Sequence, residues 1–353
     1  MSQIRQQVGA ETGGLLERDG ELTRLAEQLD AVERSERGHV VLIRGEAGVG
    51  KTALIRALCD GRTGTAEVVR GACDPLFTPR PLGPLLEIAH TLEGELVGLA
   101  GRGAMPYEMV AALAEELSRR GPVLFVLEDL HWADEATLDV FRLLVRRIET
   151  VPALVVGSYR DDGVDAGHPL RIMLGELATS PSISRMKLEG LSPPAVAELA
   201  EPYGADADEL YAKTAGNPFF VVEALAAGAD VIPETVRDAV LARAARLDPP
   251  GRALLEAVAV VPPQADLWLL EAIGAESIDG LDDCLASGML RAEAAGVMFR
   301  HELARLSLES SVPPQRKLEL HRSALAALAE PPDGALDLAR LSHHAEAAGD
   351  ADA

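Results

Sequence analysis

The chain has 353 residues, 48% of them apolar, which suits two or three domains that each bury a sizeable core. Its 33 basic residues are outnumbered by 56 acidic ones, and the net charge of −23 excludes a chain that grips a nucleic-acid backbone by itself, since phosphate contacts need clustered cations. Cys59, Cys73 and Cys284 are scattered without metal spacing and read as reduced thiols of a cytoplasmic protein, and neither a signal peptide nor a membrane span is predicted.

Residues 1–14 read as a flexible N-terminus. Leu15 to Val32 carries apolar residues at helical spacing (Leu22, Leu25, Leu29). Val40–Ile43 is a short apolar run that predicts a buried strand, and a second strand is predicted at Glu67–Arg70. Gly71–Pro84 is a Pro-rich loop, followed by helices at Leu85–Leu92 and Tyr107–Arg119. The continuous run Pro122–Leu127 suits a central parallel strand buried on both faces. A helix at Thr137–Ile148 and a buried strand at Ala153–Val156 complete an alternation that indicates a three-layer α/β sheet. Beyond about residue 165 the pattern becomes mostly helical, with a break at Gly216-Asn217-Pro218. Helices over 233–287 followed by the short strands Met289–Glu293 and Val297–Arg300 look like a winged helix, and Ala/Leu helices return over 313–347.

The stretch Gly45-Glu46-Ala47-Gly48-Val49-Gly50-Lys51-Thr52 fits the phosphate-loop pattern G-x-x-x-x-G-K-[ST] without a mismatch. It sits between a predicted strand and the helix that starts Thr52-Ala53, so backbone N–H groups and the helix dipole make an anion site. Lys51 is placed to reach the β- and γ-phosphates of ATP, or the β-phosphate of ADP, and the Thr52 hydroxyl to bind Mg²⁺. The partner half of such a site is an acid at the end of an apolar strand, which Glu128 and Asp129 supply. By register Glu128 takes the metal role and Asp129 the water-polarising role, although most such sites have Asp first, which leaves the reverse assignment open. Arg160 follows the strand after that pair and is placed to sense the γ-phosphate. Taken alone, Gly216-Asn217-Pro218 is a helix-breaking turn, His301 a structural histidine and Trp132, next to His131, a packing residue. His343 and His344 are adjacent, lack i, i+4 spacing and are assigned no metal.

Seven segments occur in order: Glu17–Leu22, GEAGVGKT, the Pro-rich Gly71–Leu85, Leu127–Asp134, Gly157–Asp162, Thr214–Phe220 and Phe299–Leu303. Over roughly residues 15–347 they resemble the large ATP-binding regulators of the LuxR family, a branch of the STAND signal-transduction ATPases related to AAA ATPases. The resemblance implies an α/β fold: a three-layer parallel-sheet P-loop NTPase core (15–165), a helical lid domain (166–230), a winged-helix domain (231–312) and the helical start of a repeat or sensor region (313–353). It further implies an ATP/ADP switch in transcriptional regulation. ADP would hold a closed monomer, while ATP and an inducer of unknown identity would open it for self-association. Arg18 would lie near the adenine pocket, Pro218 near the base, and His301 on the ADP β-phosphate.

Two departures stand out. Glu17 occupies a position where the family often has glycine, and the chain stops at Ala353, where family members continue into repeats and a helix-turn-helix. The chain is therefore either a natural short protein or a fragment, and these residues are not expected to bind DNA. A scaffold with a degenerate nucleotide pocket is the alternative function. A processive motor is disfavoured, because no pore-loop signature is evident.

Overall fold

The computed structural model describes residues 15–62, 66–74, 81–92, 95–102, 104–162, 164, 167–228, 231–273, 278–332 and 334–349. The N-terminus at 1–14, the middle of the Pro-rich loop at 75–80 and residues 350–353 lie outside the described residues. The chain divides after Glu189 into two compact units.

The first unit is built on five parallel strands: β1 (His39–Arg44), β2 (Glu67–Ala72), β3 (Val123–Glu128), β4 (Ala153–Tyr159) and β5 (Ile183–Lys187). Their order is β2-β3-β4-β1-β5. Leu42 lies opposite Gly157, and Val126 opposite Val156. Every residue of β3 and β4 is buried, as expected of strands covered on both faces. Side-chain alternation then divides the core into two layers. Val123, Phe125 and Leu127 join α3 (Gly83–Leu92), α4 (Glu95–Gly101), α5 (Pro106–Arg120), α6 (Glu135–Arg147) and α7 (Pro169–Glu176) on one side. On the other side Leu124 and Val126 meet Leu25, Leu29 and Val32 of α1 (Asp19–Ser35) and Leu54, Ile55 and Leu58 of α2 (Lys51–Arg62). Each such side chain contributes roughly 1.5–3 kcal/mol on burial.

The sequence analysis closes this core at 165. In the structure β5 pairs with β1, Val40 opposite Ile183 and Arg44 opposite Lys187, so the first unit runs on to Glu189. As an edge strand, Ile-Ser-Arg-Met-Lys buries only Met186 fully and lacks the apolar run that marks its neighbours.

The second unit is mainly helical. Its helices are α8 (Pro193–Ala200), α9 (Ala207–Thr214), α10 (Pro218–Ala227), α11 (Glu234–Ala244), α12 (Pro249–Ala259), α13 (Leu267–Ala272), α14 (Leu281–Ala286), α15 (Glu302–Ser311), α16 (Pro314–Ala329) and α17 (Leu338–Ala348). Strands β6 (Ala265–Asp266), β7 (Leu290–Ala292) and β8 (Gly296–Phe299) form an antiparallel sheet in the order β6-β8-β7. Ser192, Asp206, Asn217 and Asp248 start four of the helices by accepting backbone N–H groups from Ala195, Glu209, Phe219 and Gly251, which would otherwise lack partners. Gly216 has φ +72°, and a Cβ there would stand 2.1 Å from the Leu191 carbonyl oxygen. Its own carbonyl accepts from Leu191 N–H at 2.7 Å, so two backbone segments touch where a side chain has no room. Buried Arg305 on α15 donates to the Ala259 carbonyl at the end of α12 (2.6 Å) and to the carboxylates of Glu302 and Glu309 (2.7 and 2.8 Å). Among the described residues no helix is long and apolar enough to cross a membrane.

Candidate nucleotide-binding site

The strand order brings the carboxyl ends of β1, β3 and β4 side by side. In an open parallel sheet a ligand binds in the crevice outside those ends, where the order of strands reverses. Three segments emerge there: the loop Gly45–Gly50 after β1, Asp129 after β3 and Arg160 after β4.

The loop takes its shape from glycine. Gly48 and Gly50 have φ values of +82° and +101°, a region that costs other residues energy. A Cβ on Gly50 would meet nothing within 4 Å, so backbone conformation rather than space selects glycine there. Lys51 opens α2, and its ammonium donates to the carbonyls of Gly45 (2.7 Å) and Glu46 (2.9 Å). The residue is only 7% exposed, and its pKa falls to about 8. Burial is the main cause and the nearby Arg160 guanidinium the second, opposed by Asp129, Asp161 and Glu46. Thr52, the next residue, is exposed, and Ala53 is half-buried behind it. Buried Arg18 braces the loop from the N-terminal side, donating to the Val49 carbonyl at 3.3 Å and to the Glu189 carbonyl at 2.6 Å.

The two acids have different surroundings. Asp129 sits in left-handed conformation (φ 56°, ψ 44°), and its N–H donates to the Ser158 hydroxyl at 3.1 Å. Burial raises its carboxyl pKa, while Arg160 and Lys51 pull the other way. Glu128 is 7% exposed and accepts from Arg70 of β2 at 2.7 Å. Glu128 and Arg70 lie within electrostatic range of Cys59 on α2. The structure therefore gathers Asp129, Lys51 and Arg160 into one field and holds Glu128 in an ion pair.

Three members of this constellation have no role in the sequence reading: Arg70, Ser158 and His131. Buried His131 accepts from the Arg160 N–H at Nδ1 (3.4 Å), and the same nitrogen is 3.9 Å from an Asp129 carboxylate oxygen. It thus links the segments after β3 and β4. Its place two residues beyond Asp129 is the only signal in the sequence.

Pro218 and His301 belong to the second unit. Pro218 is the first residue of α10, behind the Asn217 cap. His301 is 6% exposed; its Nδ1–H donates to the Thr214 carbonyl at 2.8 Å and its ring meets Phe220 edge-on at 4.7 Å.

The residues at the carboxyl ends of these strands fit a polyphosphate bound with Mg²⁺. A buried ammonium whose charged form is disfavoured by burial and by a neighbouring guanidinium gains from an anion placed between them. Exposed Thr52 and the Asp129 carboxylate are the hard oxygen donors that suit Mg²⁺.

A parallel sheet in this order, with a phosphate loop after β1 and acids after β3, defines a P-loop NTPase fold. Residues 14–156 match the family model described as an AAA ATPase domain, so the chain carries an AAA-type ATPase domain. A Walker-type ATPase of Pyrococcus abyssi superposes with a TM-score of 0.58 at 13% identity, over 83% of this chain and 96% of that one. A STAND protein with a tetratricopeptide repeat sensor from Pyrococcus horikoshii aligns over 92% of this chain and 47% of its own, at 17% identity and a TM-score of 0.39. An uncharacterised protein of Rhizobium meliloti (strain 1021) is 25% identical over 413 aligned positions. These cover 96% of this chain, which spans 39% of the length of that curated relative.

Proposed function

We propose that this chain is the nucleotide-switch portion of a signal-transduction ATPase of the LuxR-type regulators, cycling between ADP-bound and ATP-bound conformations with slow Mg²⁺-dependent hydrolysis. The observation that carries this reading is the convergence of Lys51, Asp129 and Arg160 at three neighbouring strand ends around a phosphate loop. When bound, Mg²⁺ would neutralise phosphate charge. Thr52 and Asp129 would hold it, Lys51 would hold the β- and γ-phosphates, and Arg160 would respond to the γ-phosphate. Asp129 is the better candidate than Glu128 for the acid facing the phosphates, because Glu128 is committed to Arg70. Residues 190–230 would act as a helical lid and 231–312 as a winged helix, with Pro218 and His301 contributing to nucleotide retention. A switch needs unequal affinity of its two states for ATP and ADP rather than fast turnover.

The Arg70–Glu128 ion pair favours one other reading, a nucleotide-binding scaffold that does not hydrolyse. The first test is the nucleotide content of the purified chain, released by denaturation and resolved by anion-exchange chromatography. The switch reading expects near-stoichiometric ADP, lost in Lys51→Ala and reduced in His301→Ala. A chain that arrives empty and binds no added ATP–Mg²⁺ overturns both readings, while bound ATP that stays intact through hours of incubation selects the scaffold.

A further inference from the structure

A separate cluster of titratable side chains lies in the second unit, on the hairpin of α16 and α17. His321 projects from α16, and His343 and His344 from α17. One ring nitrogen from each residue lies within 4.8 Å of the other two. The two Nδ1 atoms of His321 and His344 are 2.9 Å apart. The ring centroids are 5.1 Å apart for that pair, 5.7 Å for His321 and His343, and 5.0 Å for His343 and His344.

The surroundings favour ligation over a plain hydrogen-bonded pair. His321 and His344 are 2% and 1% exposed, whereas His343 is exposed. The second nitrogen of His321 is buried with no hydrogen-bond partner among the described residues, so the pair does not close as a satisfied polar network. Burial keeps both inner imidazoles in the neutral form that binds metals, with His321 pushed down to about 4 and His344 to about 3. The charged groups facing them are matched. Lys317 pairs with Glu309, which also takes Arg305, and Arg340 on α17 pairs with Asp266 at 2.6 Å. The carboxylates named here are thus committed to cations, leaving a set of three nitrogens. Nitrogen ligands at bond lengths near 2.0–2.1 Å stand about 3.3 Å apart around a tetrahedral ion. The inner pair already falls near that separation, and the exposed ring is the one free to turn inward.

We propose that His321, His343 and His344 form a three-histidine site for a divalent transition-metal ion of the Zn²⁺ class, with solvent as the fourth ligand, and that the ion staples α17 to α16. Imidazole sets of this kind suit Zn²⁺, Co²⁺ and Ni²⁺, and exclude Mg²⁺ and Ca²⁺, which require oxygen ligands. The proposal is independent of nucleotide binding in the first unit.

The test uses the tag-free full chain, stripped with chelator and titrated with Zn²⁺ against a chromophoric competitor in the presence of millimolar Mg²⁺, which occupies weak acidic sites. The expected result is one equivalent of Zn²⁺ per chain and a visible absorption band with Co²⁺ typical of low-coordinate nitrogen ligation. Zn²⁺ should also raise the melting temperature, since ligand binding to the folded state stabilises it. His343→Ala, whose side chain is exposed and whose fold is expected to persist, should lose at least about tenfold in affinity and the Co²⁺ band. His344→Asn, a buried change, serves as a second variant wherever its far-ultraviolet spectrum matches the parent. Equal Zn²⁺ affinity in the parent and His343→Ala, or no binding that survives Mg²⁺, overturns the proposal.

Discussion

At the scale of single residues, Lys51 carries its charge where water is scarce, and that has a pH signature. With the folded pKa near 8, about half the chains lack the Lys51 proton at pH 8. A bound phosphate favours the ammonium and raises that pKa, so nucleotide binding at pH 8.5 should take up a fraction of a proton, and at pH 6.5 none from this residue. Calorimetric titrations of ADP in buffers of differing ionisation enthalpy check this: the apparent enthalpy should vary with buffer at pH 8.5 and, for the Lys51 contribution, not at pH 6.5. The acids yield a second prediction. Asp129→Asn should lower ATP turnover by about 10²-fold or more, while Glu128→Gln should have the smaller effect, because its carboxylate is already spoken for by Arg70. Single-turnover hydrolysis of both variants ranks them, and the opposite ranking returns the metal role to Glu128. Lys51, Asp129 and Arg160 were legible because each follows an apolar strand within a recognisable motif. Arg70, Ser158 and His131 were not, because their partners lie 29 to 58 positions away, and only the strand order makes them neighbours.

Among the elements, α6 and the Gly216 turn show how local signals position larger pieces. Asp134 caps α6 by accepting from Thr137 N–H at 3.1 Å, and α6 carries Phe141 and Leu144 into the core behind β3. Asp134→Ala should cost about 1 kcal/mol, read as a lower denaturation midpoint at unchanged slope. Gly216→Ala is more damaging, because the methyl group meets the Leu191 carbonyl and the residue must hold φ +72°. A loss of more than about 2 kcal/mol is expected in chemical denaturation, and a variant of near-parental stability would show that the turn can relax. The helices and central strands were readable from periodicity and apolar runs. β5 escaped because an edge strand half-covered by neighbours needs no apolar run, and Arg185 in it is fixed by the Leu174 carbonyl at 2.5 Å instead. The three-histidine cluster escaped for a related reason: the ligands of α17 are adjacent in sequence, and their third partner is contributed by another helix.

For the whole molecule, the dominant quantity is charge. A net charge of −23 stresses any compact state through self-repulsion, and salt screens it. Raising NaCl from about 20 to 200 mM should therefore raise the melting temperature by a few degrees, as measured by calorimetry in a buffer free of phosphate. A midpoint that falls with salt would mean that favourable ion pairs outweigh the net repulsion. The same charge predicts no retention of duplex DNA by this chain at physiological salt in a mobility assay.

The strand order also governs when the site can exist during synthesis. β3 and β4 are interposed between β2 and β1, so β1 emerges before either of its sheet neighbours, β4 and β5, is made. The first parallel pairing open to a nascent chain is β2 with β3, Glu67 against Val123, whereas β1 waits for β4, His39 against Leu154. A pairing across more residues carries the larger loop-closure cost, and long-range parallel pairing is slow to form. The phosphate loop thus leaves the ribosome before the strands that seat it, so nucleotide capture marks completion of the first unit's sheet rather than its start.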